Sequence, residues 1–362
     1  MKILIVITKS ELGGAQVFAL NLARGLKDAG EDVTVAGGPG DYLPKELNKF
    51  GINFKRLFNL ARSYNPLQSL NFISELKQYV ISEGFDVVHL NSTNALLGAW
   101  GLSTLKPQPR LVFTVHGLSL LDNKHQALTP LKYAYRLFFR TAFKKLHDIV
   151  FVSQLNFDYA KSSGLLDGLK AKSHLIYNGI TQKNDYWLSR EEARRELKLN
   201  EDDYIYGSIG RLAYPKNYEF LINSHKALQA IKPNARLVLI GDGPERAKYE
   251  DLITLYQLGR DVILRGEIPE ASRYLKAFDL FVLPSIFEGL SLSLIEAISA
   301  GIPVIASRVG GSEEIVGVSN CFKLNDQADF LRLVKNAKPV ATINQPFTLQ
   351  QMVDGYLRVY KR

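Results

Sequence analysis

The sequence has 362 residues, of which 46% are hydrophobic and 22% are charged, and its formal net charge is +9. These proportions are those of an ordinary globular protein, and the length favours two domains over one. A basic surplus can indicate a nucleic-acid partner, but no nucleic-acid-binding motif accompanies it here, so we expect none.

The cysteine content and the apolar runs indicate the compartment. Cys321 is the only cysteine in the sequence, which excludes an intramolecular disulfide and fits a reducing compartment. The first apolar run, residues 3–7, is too short for a signal-peptide core or a membrane span. No later run approaches the roughly 20 residues needed to cross a bilayer. We therefore expect a cytoplasmic protein, either soluble or peripheral at the inner face of the cytoplasmic membrane.

Strand and helix patterns alternate along the whole chain. Strands are predicted to begin near Lys2, Asp32, Asn53, Asp86, Arg110 and Asp148, and then near Tyr204, Arg236, Asp261, Asp279 and Pro303. Helices are predicted between them, including residues 15–29, 71–82, 218–230 and 245–256. Alternation of this kind builds parallel sheets through right-handed crossovers. The pattern therefore predicts an α/β fold of two doubly wound domains.

The domain boundary is predicted within residues 177–203. An Asn178-Gly179 turn is followed there by a highly charged helix at residues 190–198. We place the first domain at residues 1–177 and the second at residues 178–346.

The most informative stretch, residues 278–315, contains Glu288 and Glu296 with seven residues between them. A short apolar strand ends before Pro284, and a helix is predicted from Ser291 to about Ile298. Glu288 would then lie on a loop beyond the end of a strand, and Glu296 within the next helix. The amides of residues 290–292 would point from the helix N-terminus towards the same place. Amides suit phosphate and carboxylates suit hydroxyl groups, so the stretch predicts a sugar-nucleotide site.

Three other loops that follow predicted strands carry candidate site residues. Arg211 and Lys216 could bind a pyrophosphate or could be solvated surface cations. Gly13 and Gly14 could let backbone amides approach a ligand or could form a plain tight turn, and no G-x-G-x-x-G fingerprint is present there. His116 could act in the site or be a packed structural residue.

Several short motifs follow one another along the chain and together carry a resemblance to a known family. They are GGAQ at 13–16, TVHG at 114–117, FVSQ at 151–154, YNGI at 177–180, GRLAYPKN at 210–217, LIGDGPER at 239–246 and EGLSLSLIEA at 288–297. The last resembles the Glu-x7-Glu signature of the family 4 retaining glycosyltransferases. The whole set is similar to that family over nearly the entire chain. The resemblance implies the GT-B fold, in which two Rossmann-like doubly wound parallel-sheet domains face a central cleft.

The resemblance implies a role for each candidate residue. The catalytic candidates are His116, Glu288, Arg211 and Lys216. The donor-binding candidates are Gly13, Gly14, Gly210, Arg211, Lys216, Glu288, Gly289, Leu290, Ser291, Leu292 and Glu296. In the family, the Arg and Lys bind the diphosphate, the first Glu binds hydroxyls of the transferred sugar, and the second Glu binds the ribose. The Leu290-Ser291 pair departs from the commoner Phe-Gly, which bears on the sugar that fits. His89 is a weaker candidate for the cleft wall.

The resemblance also gives the two domains their roles. It implies that the N-terminal domain binds the acceptor and that the C-terminal domain binds the donor. It further implies that the last helix, within residues 347–362, crosses back onto the N-terminal domain.

No metal or other cofactor is expected. The sequence has no Asp-x-Asp pair to hold a metal diphosphate, and its His and Cys residues show no zinc spacing. Arg211 and Lys216 would then supply the positive charge that a metal ion supplies in other enzymes.

Residues 131–146 form a basic amphipathic pattern. Its basic side chains recur every four residues, at Lys132, Arg136, Arg140 and Lys144. Its apolar side chains are Leu131, Tyr135, Phe138, Phe139, Ala142 and Leu146. Either this is a surface helix whose apolar face lies in the core, or it faces anionic lipid or a polyprenyl-diphosphate acceptor.

Together these features predict a retaining hexosyltransferase. It would move a sugar from a nucleotide-sugar donor, preferably a UDP-sugar and otherwise a GDP-sugar, to a glycan or a polyprenyl-diphosphate-linked acceptor in surface-polysaccharide or glycoconjugate synthesis. Two alternatives stay open, a nucleotide-sugar epimerase of the same fold and a non-catalytic two-domain sugar-binding protein.

Overall fold

The computed structural model describes residues 1–62, 65–118, 129–181, 186–339 and 347–362. The chain divides into two compact units. Unit 1 comprises Met1–Thr181 and Phe347–Arg362, and unit 2 comprises Gln182–Pro346. The division therefore falls four residues after the boundary predicted from the sequence.

Unit 1 is built on a seven-stranded parallel sheet in the order β3-β2-β1-β4-β5-β6-β7. Its strands are β1 (Lys2–Ile7), β2 (Asp32–Gly37), β3 (Asn53–Arg56), β4 (Val87–Leu90), β5 (Arg110–Val115), β6 (Asp148–Phe151) and β7 (Lys172–Leu175). Its helices before residue 181 are α1 (Gly14–Asp28), α2 (Tyr42–Lys49), α3 (Pro66–Glu83), α4 (Thr93–Leu96), α5 (Gly98–Leu102), α6 (Thr129–Phe143) and α7 (Gln154–Ser162). The central strands are continuous apolar runs because helices cover both faces of the sheet.

Unit 2 is built on a six-stranded parallel sheet in the order β10-β9-β8-β11-β12-β13. Its strands are β8 (Tyr204–Ile209), β9 (Ala235–Ile240), β10 (Val262–Gly266), β11 (Leu280–Leu283), β12 (Val304–Ser307) and β13 (Cys321–Phe322). Its helices are α8 (Arg190–Glu196), α9 (Tyr218–Gln229), α10 (Arg246–Leu255), α11 (Leu292–Ser299), α12 (Ser312–Val316) and α13 (Gln327–Asn336), with 3₁₀ helices at Ala271–Ala277 and Val318–Asn320.

In each sheet, the direction in which the chain adds successive strands reverses next to the first strand. The chain winds outward from β1 towards β3 and then returns to β4 on the other side of β1, and it does the same around β8 between β10 and β11. In open parallel sheets the loops after the two strands at such a switch point diverge and leave a crevice where ligands bind. The loops after β8 and β11 contain most of the predicted donor-binding residues.

A last helix, α14 (Leu349–Tyr360), belongs to unit 1. Two of its tyrosines continue a buried hydrogen-bond chain from the sheet. Tyr360 Oη lies 2.7 Å from His89 Nδ1, His89 Nε2 lies 2.7 Å from Thr114 Oγ1, and Thr114 Oγ1 lies 2.8 Å from Tyr356 Oη. A β-carbon at Gly25 of α1 would overlap the Val353 side chain, so glycine permits this close approach of α14.

His89 is therefore a structural residue. It is completely buried, and both ring nitrogens are hydrogen-bonded. Burial, together with the nearby His116, lowers the pKa of His89 to about 3, so its ring is neutral. The suggestion that His89 lines a cleft wall is wrong, because its side chain joins α14 to the sheet.

In the ranges that the structure describes, no helix has both the length and the apolar content needed to span a bilayer.

Candidate active site

In unit 2, the loops after β8 and β11 are bonded to each other. The amide of Ile286 donates to the Pro215 carbonyl at 2.8 Å, and Asn217 Nδ2 donates to the Pro284 carbonyl at 3.0 Å. Asn217 precedes α9 with a left-handed φ of 58°, a conformation that asparagine tolerates better than most residues. These hydrogen bonds fix the loop after β8 against the loop after β11, and so fix the positions of the side chains that both loops carry.

Lys216 and Glu288 form an ion pair across these loops. Lys216 Nζ lies 2.7 Å from Glu288 Oε1, and the Ser285 hydroxyl donates to the same oxygen at 2.7 Å. The two charged side chains are 22% and 13% exposed, so both are largely withdrawn from water. Burial alone would lower the pKa of Lys216, but the charge and hydrogen bond of Glu288 raise it above its ordinary value. The site therefore contains a fixed cation.

Arg211 supplies a second cation in the loop after β8. Its side chain is exposed, and within the described part of the chain no group accepts a hydrogen bond from its guanidinium. The preceding residue, Gly210, has no room for a side chain, since a β-carbon there would lie 2.8 Å from Tyr218 Oη and 3.6 Å from Lys216 Cε. Gly241, in the turn after β9, has a φ of 141° and packs directly against the Gly210 carbonyl. The positive charge that this loop offers to an anion therefore comes from its Arg211 and Lys216 side chains.

The N-terminus of α11 adds a set of backbone amides. Ser291 is the N-cap, but its side chain makes no capping hydrogen bond and instead lies 3.0 Å from Ser293 Oγ. The first-turn amides that begin at Leu292 are therefore not capped by the Ser291 side chain and can bind an anion. Leu290 and Leu292 are 6% and 9% exposed, so they anchor this turn in the core.

A glycine-rich turn after β12 supports the Glu288 loop. The Gly311 amide donates to the Gly289 carbonyl at 2.8 Å. Gly310 has a left-handed φ of 51°, and a β-carbon there would overlap the Glu288 carbonyl oxygen. Only glycine fits so close to this backbone. Gly310, Asn217 and Ser285 were not recognised from the sequence, although Gly310 lies in a Gly-Gly pair and Asn217 directly precedes a predicted helix.

Glu296 lies inside α11, as predicted. Burial raises the pKa of its carboxyl group to about 7, far above its ordinary value of 4.5. In the described part of the chain, no group donates a hydrogen bond to this carboxylate. A desolvated carboxylate with open acceptor positions is suited to hydroxyl groups of a ligand.

Unit 1 holds the remaining predicted residues. Helix α1 begins at Gly14, and Gly13 is its N-cap in an extended conformation with no side-chain cap. A β-carbon at Gly13 would lie 2.7 Å from Gln16 Oε1, whereas one at Gly14 would meet nothing within 4 Å. Steric need for glycine is thus evident at Gly13 only.

His116 follows β5 and packs edge-on against Phe18, with ring centroids 4.7 Å apart. Burial lowers the pKa of His116 to about 4, so the imidazole is neutral at physiological pH. Its Nε2 atom is buried, and no group among the described residues bonds to it. This nitrogen can therefore donate to or accept from a ligand.

Helix α6 covers most of the basic pattern, and its predicted apolar side is only partly buried. Phe139, Ala142 and Leu146 are buried, as the first of the two alternatives expects. Leu131, on the same predicted apolar face, is 49% exposed, and Tyr133 and Leu137 are exposed as well. The helix ends at Phe143, so Lys144 and Leu146 lie beyond it. The outer side of α6 is therefore both basic and apolar.

The predicted residues thus fall in two sets, one in each unit. The loops of unit 2 bring Lys216 and Glu288 into direct contact, while Arg211, the α11 amides and Glu296 follow the same two strands. Gly13, Gly14 and His116 lie at strand ends of unit 1. Among the described residues, no group of three or more His, Cys, Asp or Glu side chains could hold a metal ion.

Comparison with known proteins agrees with this architecture. A family model described as Glycosyltransferase Family 4 matches residues 12–183, and one described as Glycosyl transferases group 1 matches residues 189–337.

Individual relatives cover most of the chain. An uncharacterized glycosyltransferase of Methanocaldococcus jannaschii is 26% identical over 322 residues, 84% of this chain and 79% of the relative. The UDP-Gal:alpha-D-GlcNAc-diphosphoundecaprenol alpha-1,3-galactosyltransferase of Escherichia coli is 25% identical over 299 residues, 80% of this chain and 72% of the relative.

A solved structure shares the fold over the full length. The Anabaena protein HepE, in complex with UDP and glucose, has a TM-score of 0.81 at 20% identity and covers 100% of this chain and 99% of its own. Because the two family models together match most of the sequence, the chain belongs to the family 4 glycosyltransferases and has the GT-B fold.

Proposed function

We propose that this glycosyltransferase moves a hexose, with retention of anomeric configuration, from a nucleotide sugar to a glycan or lipid-linked acceptor. A UDP-sugar is the favoured donor, with a GDP-sugar as the alternative. The observation that carries the proposal is the Lys216–Glu288 pair at the carboxyl ends of β8 and β11. A cation suited to phosphate and a carboxylate suited to hydroxyl groups lie 2.7 Å apart there, which supports binding of a sugar diphosphate.

The diphosphate is bound by Lys216, Arg211 and the first-turn amides of α11. Negative charge on the leaving diphosphate grows as the bond to the sugar breaks. Fixed cations and amide dipoles stabilise that charge more in the transition state than in the ground state. Arg211 and Lys216 do this without a metal ion, and no cofactor takes part.

The sugar and the ribose are bound by the two carboxylates. Glu288 accepts hydrogen bonds from hydroxyls of the transferred sugar, and Glu296 accepts them from the ribose. Gly289, Leu290 and Ser291 form the turn between them, and the Leu290-Ser291 pair influences which sugar fits. Charge-assisted hydrogen bonds of this kind are roughly twice as strong as neutral ones.

Unit 2 is thus the donor-binding domain, and unit 1, with α14, is the acceptor-binding domain. By the family resemblance, the neutral His116 and the loop at Gly13 and Gly14 are the residues of unit 1 that would act on the sugar, the donor phosphates and the acceptor. The acceptor attacks from the face that the diphosphate leaves, and the departing phosphate helps to remove the acceptor proton. Neither glutamate then acts as a nucleophile.

The relatives support the choice of donor and acceptor. The name of the E. coli relative gives UDP-Gal as its donor and a diphosphoundecaprenol-linked sugar as its acceptor, and HepE binds UDP. We therefore favour a UDP-sugar and a polyprenyl-diphosphate-linked acceptor in surface-polysaccharide or glycoconjugate synthesis.

Helix α6 would carry unit 1 to that acceptor at the inner face of the cytoplasmic membrane. Leu131, Tyr133 and Leu137 are exposed on a helix that also carries Arg136 and Arg140. Exposed apolar side chains can enter the headgroup region, while basic ones attract anionic lipids.

A donor screen tests the proposal. The protein is incubated with UDP-hexoses and GDP-hexoses, with and without a chelator, and release of free nucleoside diphosphate is measured. We expect release from at least one donor at an unchanged rate in the chelator. NMR of the product then reports whether the anomeric configuration is retained. No release from any donor, loss of activity in the chelator, or an inverted product would contradict the corresponding part of the proposal.

A further inference from the structure

The two oxygens of the Glu288 carboxylate have different surroundings. Oε1 accepts from both Lys216 Nζ and the Ser285 hydroxyl, each at 2.7 Å. Among the described residues, nothing donates to Oε2. An ionised carboxylate can accept about four hydrogen bonds, so the side chain keeps acceptor capacity on its second oxygen.

Ser285 is itself held firmly. The residue is completely buried, and its carbonyl accepts a hydrogen bond from the buried hydroxyl of Ser307 on the neighbouring strand β12. The backbone of Glu288 is fixed from the other side by Gly310. The carboxylate is therefore oriented by groups that have little freedom to move, which favours one direction for Oε2.

The ion pair also determines how strongly the Lys216 ammonium group attracts an anion. With Glu288 Oε1 only 2.7 Å away, the carboxylate offsets much of the ammonium charge and repels a diphosphate brought to Lys216. A sugar hydroxyl that donates to Oε2 stabilises the negative charge of Glu288 and so lessens the repulsion between this carboxylate and the diphosphate. A free nucleoside diphosphate has no such hydroxyl and meets the repulsion in full.

From these contacts we infer that Ser285 is a positioning residue for Glu288, and that Lys216 and Glu288 act as one unit that makes the site prefer an intact nucleotide sugar to free nucleoside diphosphate. The inference rests on the proposed function, because it assumes that a sugar diphosphate binds at this pair. Its consequence is that the product loses affinity once the sugar has been transferred, which favours release.

Calorimetry on the full chain tests the inference. Dissociation constants are measured for UDP, UDP-glucose, GDP and GDP-mannose with the wild type, Glu288→Gln and Ser285→Ala. Glu288→Gln removes the repelling charge but keeps the shape, so we expect it to bind the nucleoside diphosphate about tenfold more tightly. It should lose most of the preference for the nucleotide sugar.

Ser285→Ala should act differently, because it leaves the charge of Glu288 in place. Affinity for the nucleoside diphosphate should stay within about twofold, whereas the preference for the nucleotide sugar should fall by about tenfold. Ser285→Thr, which keeps the hydroxyl, should restore the preference. Ser224→Ala, at another buried serine of unit 2, is the matched control and should behave as the wild type. Thermal unfolding of each variant confirms that it is folded.

The outcomes separate the inference from the proposed function. If the wild type binds neither nucleoside diphosphate, the proposed function fails and the inference with it. If the wild type binds one, but Glu288→Gln binds it no more tightly, or Ser285→Ala keeps the full preference for the nucleotide sugar, the inference alone is overturned.

Discussion

Replacing Glu296 with glutamine should make the protein more stable and a poorer binder of nucleotide. The side chain lies inside α11, where burial raises the pKa of the carboxyl group from 4.5 to about 7. Between about pH 4.5 and pH 7, Glu296 therefore keeps its proton in the folded chain but releases it in the unfolded chain. Because the folded state binds more protons there, its stability falls as the pH rises through this window.

The size of the effect follows from the shift. At about 1.4 kcal/mol per pKa unit, the charged Glu296 costs the folded state roughly 3 kcal/mol at about pH 8. Near pH 5 most of this cost is absent, and the difference between glutamate and glutamine falls to about 1 kcal/mol. For a unit of this size, roughly 3 kcal/mol corresponds to a rise in melting temperature on the order of 5–10 °C.

Thermal unfolding of Glu296→Gln and wild type across this pH range measures the effect. Glu267→Gln, at an exposed position of unit 2, is the control and should leave the melting temperature unchanged. Calorimetry should show that Glu296→Gln weakens binding of UDP or GDP by about tenfold, since an amide is a poorer acceptor for ribose hydroxyls. Equal stability of variant and wild type at pH 8, or a difference that does not depend on pH, would refute the argument that this carboxylate is desolvated.

Three further changes test other parts of the molecule. Lys216→Met should weaken binding of UDP or GDP by about tenfold or more, measured by calorimetry, because it removes a charge-assisted phosphate contact. Charge reversal of Arg136 and Arg140 to glutamate should reduce sedimentation with vesicles that contain phosphatidylglycerol, because each basic residue near such a surface contributes about 1 kcal/mol. Tyr360→Phe should cost about 1–3 kcal/mol of stability in thermal unfolding, because it leaves the buried His89 Nδ1 without a partner.

Each of these changes has a matched control on the same unit. Lys226→Met alters an exposed lysine of α9 and should leave nucleotide affinity as in the wild type. Charge reversal at Lys45 and Lys106, both exposed in unit 1, should leave vesicle binding nearly intact, and Tyr133→Phe should not change stability. If a variant and its control behave alike, the role assigned to the tested side chain is wrong.

Sequence periodicity predicted every strand of the described ranges except β7 and β13. Most strands begin within a residue of the predicted position, because their continuous apolar runs are bounded by polar residues and turns. The helix that contains Glu296 was predicted from about residue 291 and spans Leu292–Ser299. The start of α3 was missed, although Asn65 accepts from the Leu67 amide at 3.0 Å and Pro66 occupies the first turn. An Asn-Pro pair is a recognisable start of a helix.

Contacts between distant residues could not be predicted from local patterns. Lys216 and Glu288 are 72 positions apart, and their pairing depends on how the loops after β8 and β11 meet. The burial of His89 depends in the same way on Tyr360, 271 positions later. Periodicity predicted the apolar face of α6 without showing how far the core extends, so it could not show that Leu131 in the first turns is exposed.

The most direct test of the account is a crystal structure of this chain with UDP or GDP. We predict that the diphosphate contacts Lys216 and Arg211, and that the ribose hydroxyls lie on Glu296. A nucleotide bound away from the loops after β8 and β11 would contradict the account.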